Sequence, residues 1–200
     1  MRKLLLLLII TVAGCLSVAC EAKKADEAAA EPGTAFTIRE VMQSMVAPNA
    51  DALWNAVSTS VTDKGIETKA PSNEEEWANM RHAAVTISEA MNTVLVPGRK
   101  VAKPGEQAKD PKVELTPEQI DALIAKDRAG WTKFARELQK AMNEAITAID
   151  AKSADGLSAA GANIDAACEN CHKQYWYPND TKAQESQQPQ QSQQPTEPKK

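Results

Sequence analysis

Between residues 36 and 180 the apolar positions recur at steps of three and four, and the polar ones fill the intervals. This is the rhythm of helices with one buried face. The third of four such segments has the plainest start. Thr116 is placed to cap, Pro117 takes the first helical position, and Gln119 completes a capping box. Ile120, Ile124, Asp127, Trp131, Phe134, Leu138, Met142, Ala145 and Ile149 then predict one continuous helix, with Asp127 and Gly130 as mild irregularities on its seam. The second segment opens at Ser72, whose spacing to Glu75 suits a capping box. It carries Trp77, Met80, Ala84, Ile87, Met91 and Val94 inward, and it stops at Pro97-Gly98. The fourth begins near Ser153 or Asp155 and runs into Tyr175-Trp176, where Pro178 ends it. Leu157, Gly161, Ile164, Cys168, Cys171, His172 and Tyr175 share its stripe. The first is expected from about Thr37 to Val61, kinked at Pro48-Asn49. Ile38, Met42 and Met45 face inward before the kink; Leu53, Trp54, Val57 and Val61 do so after it. No stretch reads as a strand, and Lys100 to Leu115 is a polar crossing loop. The expected fold is all-α, an antiparallel four-helix bundle.

The ends of the chain differ in composition from this middle. Met1-Arg2-Lys3 followed by the apolar run from Leu4 to Ile10 reads as an export signal, too short for a membrane-spanning helix. Val12-Ala13-Gly14-Cys15 and Ser17-Val18-Ala19-Cys20 each place small residues before a cysteine, so Cys15 or Cys20 is the expected site of lipid attachment. The alternative is ordinary cleavage after Ala19 or nearby. Residues 1–20 are thus a lipoprotein-type signal segment, 21–35 a solvated tether, 36–180 the folded domain, and 181–200 a Gln-, Ser- and Pro-rich tail without a large apolar residue. Loss of Arg2 and Lys3 with the signal takes the formal charge from −4 to −6. An acidic surface without a basic run argues against nucleic-acid binding and favours basic encounter partners. The expected location is the periplasm, with the domain held at a membrane through the N-terminal lipid.

One short motif changes the picture most. Cys168-Glu169-Asn170-Cys171-His172 places two thiols and an imidazole at i, i+3 and i+4, on one helical face. This is the attachment pattern of a c-type haem: Cys168 and Cys171 would form thioethers to one porphyrin, and His172 would face its iron. A structural zinc site needs about four nitrogen or sulfur ligands. The chain holds four cysteines and two histidines, and Cys15 and Cys20 lie in the signal, which leaves only His82 to complete such a set. His82 falls off the apolar stripe of its helix, beside Arg81, and reads as a solvated residue. A disulfide-exchange pair would ordinarily accompany strands, which the pattern lacks.

The chain at this point resembles the class II c-type cytochromes, the cytochrome c′ family. In that family the haem motif lies near the C-terminus of a four-helix bundle. The likeness covers roughly Phe36 to Pro178 and rests on Ile38-Arg39-Glu40-Val41-Met42, on Pro48-Asn49-Ala50-Asp51-Ala52-Leu53-Trp54, on Glu89-Ala90-Met91 to Pro97-Gly98-Arg99, and on Cys168 to Pro178. Many cytochromes c′ carry an arginine or lysine a few residues after the haem histidine; here Tyr175-Trp176-Tyr177 stands there. The resemblance implies one covalent haem c and an axial His172. It also places a first-helix residue at the sixth iron position, where Met42 matches and Met45, one turn later, is the fallback. A methionine at such spacing is otherwise core filler.

With both axial positions filled, the expected function is that of a one-electron carrier serving a redox partner protein. Pairing of two bundles into a homodimer is implied by the relatives. The alternative is a five-coordinate haem that binds a small gas molecule such as NO or CO. No nucleophile–base pair and no acid–base carboxylate pair stands out, so the chain is not expected to be an enzyme.

Overall fold

The computed structural model describes residues 34–180. Residues 1–33, with the signal, most of the tether and both Cys15 and Cys20, lie outside the described residues, as does the tail from 181 to 200. What is described is mostly helical and compatible with an all-α fold.

The first segment is more broken than its periodicity predicts. Helix α1, Ile38–Val41, is a single turn with a full capping box: Thr37 accepts from the Glu40 N–H, and the Glu40 carboxylate accepts from the Thr37 N–H. A π-helical turn, Met42–Val46, follows, and then α2, Ala47–Trp54. The cause is Pro48. It has no N–H to give, and its ring would strike the carbonyl four residues back in a regular helix. The chain accommodates it by widening, so that the Ala47 N–H reaches back five residues to the Met42 carbonyl. The Asn49 side chain donates to the Met45 carbonyl at 2.8 Å, which satisfies an acceptor in the widened turn.

Helix α2 ends at Trp54, not at Val61. Strands β1, Ser58–Thr62, and β2, Gly65–Lys69, then form an antiparallel hairpin with Val61 opposite Ile66. The expectations of a helix to Val61 and of a chain without strands are both corrected here. Val61 is 84% exposed and Ile66 75%, so the pair expected in part to face the core lies outside it. Trp54, also expected inward, is 40% exposed.

Helix α3, Glu74–Val94, starts one residue later than Ser72 predicts. Asn73 is the cap, accepting from the Glu76 N–H, while the Glu76 carboxylate accepts from the Ser72 N–H. Its expected stripe is buried at Trp77, Ala84, Ile87, Met91 and Val94, with Met80 half-buried. The third segment is two helices, α4, Pro117–Lys126, and α5, Arg128–Asp150. Thr116 and Gln119 form the predicted box at the head of α4. Continuity fails at Asp127, whose non-helical backbone lets its carboxylate cap α5 by accepting from the Gly130 N–H at 2.9 Å. Helix α6, Ala154–Tyr175, is capped by Ser153 as expected. The α5–α6 pair and the α3–α5 pair make the most extensive helix packing. One apolar cluster, including Ile38, Ile87, Trp131, Met142, Leu157, Ile164 and Tyr175, runs through the helices.

Candidate functional site

Cys168, Cys171 and His172 lie in the last turns of α6, all three half-buried on the side that meets α5 and the π-turn. They line a small cavity of about 50 Å³. The π-turn contributes Met42 and Val46, α3 contributes Met91 and Val94, and α5 contributes Trp131, Phe134, Ala135 and Leu138; Ala167 completes the α6 wall. Apart from the imidazole and the sulfur groups, every lining side chain is hydrocarbon or aromatic.

Burial sets the protonation of the reactive groups. It pushes the Cys168 thiol up to about 11 and the Cys171 thiol up to about 12, with Asp165 and then Glu169 adding to the first and the neighbouring Cys168 adding to the second. Both are therefore neutral thiols at physiological pH, the opposite of the lowered value that marks a disulfide-exchange cysteine. They are free of disulfide. Burial also lowers the His172 pKa, against a smaller opposing pull from Glu169 and then Glu114. A neutral imidazole beside two thiols and a thioether, in an apolar pocket, is a donor set suited to a haem iron and its vinyl-bearing edge. Among the described residues no group of three or more His, Cys, Asp and Glu side chains could hold a bare metal ion. The cysteine pair therefore has no zinc-type partners there.

The end of α6 is fixed by bonds that periodicity does not reveal. The fully buried Tyr175 donates its hydroxyl to the Asp127 backbone carbonyl and to its Oδ2, both at 3.2 Å. Its ring packs edge-on against Trp131 at 5.2 Å and Phe134 at 6.0 Å, two of the cavity walls. The Leu115 N–H donates to the Trp176 carbonyl at 2.8 Å, and the Tyr177 hydroxyl to the Glu169 carboxylate at 2.6 Å. The His172 carbonyl accepts from the N–H groups of both Trp176 and Tyr177. The Tyr175-Trp176-Tyr177 run that departs from the family pattern thus anchors the helix carrying His172. The signal for the Asp127 part was the Asp-x-x-Gly spacing to Gly130, which reads as a helix cap as readily as a seam irregularity.

The other expected residues fall as follows. Met42 is on the cavity; Met45, half-buried against the core, is not among its lining residues. Met91 lines the cavity, and Met80 packs elsewhere on the core. His82 is exposed. The Trp54 indole lies against Gly161 and donates its N–H to the Gly161 carbonyl at 3.2 Å. An added Cβ on Gly161 would meet the Trp54 ring at 3.6 Å, ordinary contact, so alanine would fit there. No described helix is long and apolar enough to cross a membrane. No protein-family model, curated protein or solved structure matches this chain.

Proposed function

We propose that this protein is an exported c-type cytochrome resembling the class II family, a four-helix bundle whose task is one-electron transfer. The observation that carries the reading is the meeting of Cys168, Cys171, His172 and Met42 on one apolar cavity, although Met42 is more than a hundred residues from the other three. In the bundle, the paired segments α1–α2 and α4–α5 act as the first and third helices, with α3 and α6 as the second and fourth.

When bound, haem c supplies reversible exchange of one electron. The chain's own residues do the rest. Cys168 and Cys171 would hold the porphyrin as thioethers, and neutral His172 would offer a nitrogen to its iron. Met42, on the same cavity, would offer its thioether as a second ligand, one that favours the reduced state relative to a second histidine. Val46, Met91, Val94, Trp131, Phe134 and Leu138 exclude water, which keeps the surroundings similar in both oxidation states. An N-terminal lipid on Cys15 or Cys20 would confine the domain near its donor or acceptor protein and raise its effective concentration there.

The test is the intact mass and the visible spectrum of the full chain produced with a cytochrome maturation system. The expected result is the mass of one haem added covalently, with low-spin bands in the reduced state that carbon monoxide leaves unaltered. High-spin bands with rapid carbon monoxide binding would instead establish the gas-binding alternative. A chain without covalent haem would overturn both.

A further inference from the structure

We infer that Lys103 and Asp121 are positioning residues for Met42, acting through the crossing loop, which straps helix α1 in place. This inference rests on the proposed ligation for its functional consequence. Its structural part does not.

Helix α1 is one turn long, and a helix that short has no stability of its own in water. Its place is set from outside. The Ile38 N–H donates to the Lys100 carbonyl at 2.8 Å and the Arg39 N–H to the Val101 carbonyl at 3.0 Å, so two of the helix's free N–H groups are taken by the loop. Val101 is fully buried, and its own N–H donates to the Asp121 carboxylate at 3.0 Å, which ties the loop to α4. Lys103 pairs with Glu40, the residue that also closes the α1 capping box. Met42 is the residue immediately after α1, and the π-turn that begins there can widen or tighten more readily than a regular helix. The loop therefore fixes the near end of the segment that carries Met42 into the cavity. Loosening the strap lets Met42 leave the cavity without unfolding α3, α5 or α6.

The experiment uses the full-length holoprotein with Lys103→Ala and Asp121→Ala, singly and together, and Lys103→Arg as the conservative control. Carbon monoxide is the probe, because it binds the reduced protein only as fast as Met42 departs. In the double variant its association rate should rise about tenfold, the scale of one lost charge-assisted hydrogen bond. A high-spin fraction should appear at rest, and Lys103→Arg should behave as the parent does. A double variant that melts earlier yet binds carbon monoxide at the parent's rate would overturn the inference, since the loop would then support only stability. Amide hydrogen exchange at residues 41–46 of the full chain, made without haem, separates this failure from that of the cytochrome reading. Faster exchange there in the double variant supports the strap even if no haem is ever attached, and unchanged exchange overturns it.

Discussion

At Met42 two constraints meet from opposite directions along the chain. Upstream, the one-turn α1 is capped and strapped; downstream, Pro48 forces the backbone to widen, with Ala47 bonding back to the Met42 carbonyl. Spacing alone could not separate Met42 from Met45, because residues three apart share a helical face. Inside a π-turn that rule changes, and only Met42 of the two lines the cavity. On the proposed ligation, Met42→Ala is expected to turn low-spin reduced bands into high-spin ones and to open the iron to carbon monoxide, while Met45→Ala leaves the spectrum as it was. Reduced and oxidised absorption spectra of the two variants check this, and an unaltered Met42→Ala spectrum would remove Met42 as a ligand. The Cys168, Cys171 and His172 part of the site was legible because it is local: all three sit within five residues of one helix. The Met42 part rested on resemblance, since no local pattern links it to a cavity formed by distant elements.

Among the elements, those whose signals agree at short range were readable, and those settled by competition were not. Thr116, Pro117 and Gln119 each point to the same start, and α4 begins there. Asp127 and Gly130 sit on an unbroken apolar rhythm, yet the chain breaks, because an Asp cap three residues before a glycine competes with continuation. Space enforces that choice: a Cβ on Gly130 would come within 2.1 Å of the Asp127 Oδ2. Gly130→Ala should expel the carboxylate and weaken its bond to Tyr175. Despite the better helix propensity of alanine, a net loss of about 1 kcal/mol is expected, or roughly 2–4 °C in melting temperature. Gly161→Ala, with only ordinary contact to Trp54, should be neutral or slightly stabilising; thermal melts of the two variants distinguish them. At α1 the relevant variable is pH. Lys103 first, and then the Thr37 N–H, hold the Glu40 carboxyl down from 4.5 to about 2. A carboxylate with a lowered folded pKa contributes its stability above its unfolded value and loses it as pH falls through the folded one. Protection of the α1 amides should thus decline between pH 4.5 and about 2 in hydrogen exchange, and Glu40→Gln should abolish that pH dependence. The hairpin was missed although Ser58 to Lys69 carries alternating β-branched residues and a glycine. The helical rhythm hides it, because Trp54, Val57 and Val61 also keep steps of three and four.

For the whole molecule, the burial pattern separates a helical body from an appendage. The apolar cluster runs through the helices, whereas every residue of β2 is exposed and Val61 and Ile66 face water together. A two-stranded hairpin with no third strand or helix over its apolar face is marginal in water, so residues 58–69 should exchange their amide hydrogens early, independently of the rest. The cavity has the reverse character. It lies where the π-turn, α3, α5 and α6 meet, so a large flat group seated there would join α6 to the π-turn and α3, which otherwise reach it chiefly through α5. A ligand that binds only the folded state adds to stability, and a covalent one remains through denaturation. Hydrogen exchange on the chain with and without haem should show protection rising at residues 42–46, 91–94, 131–138 and 164–176, with no change at 58–69. On the proposed attachment, haem should separate in guanidinium from the double variant Cys168→Ala/Cys171→Ala and stay on the parent. A uniform rise in protection that includes the hairpin would mean that the group acts on global stability rather than at this junction. Protection confined to α6 would mean that the helix carrying His172 holds it without the wall formed by Met42.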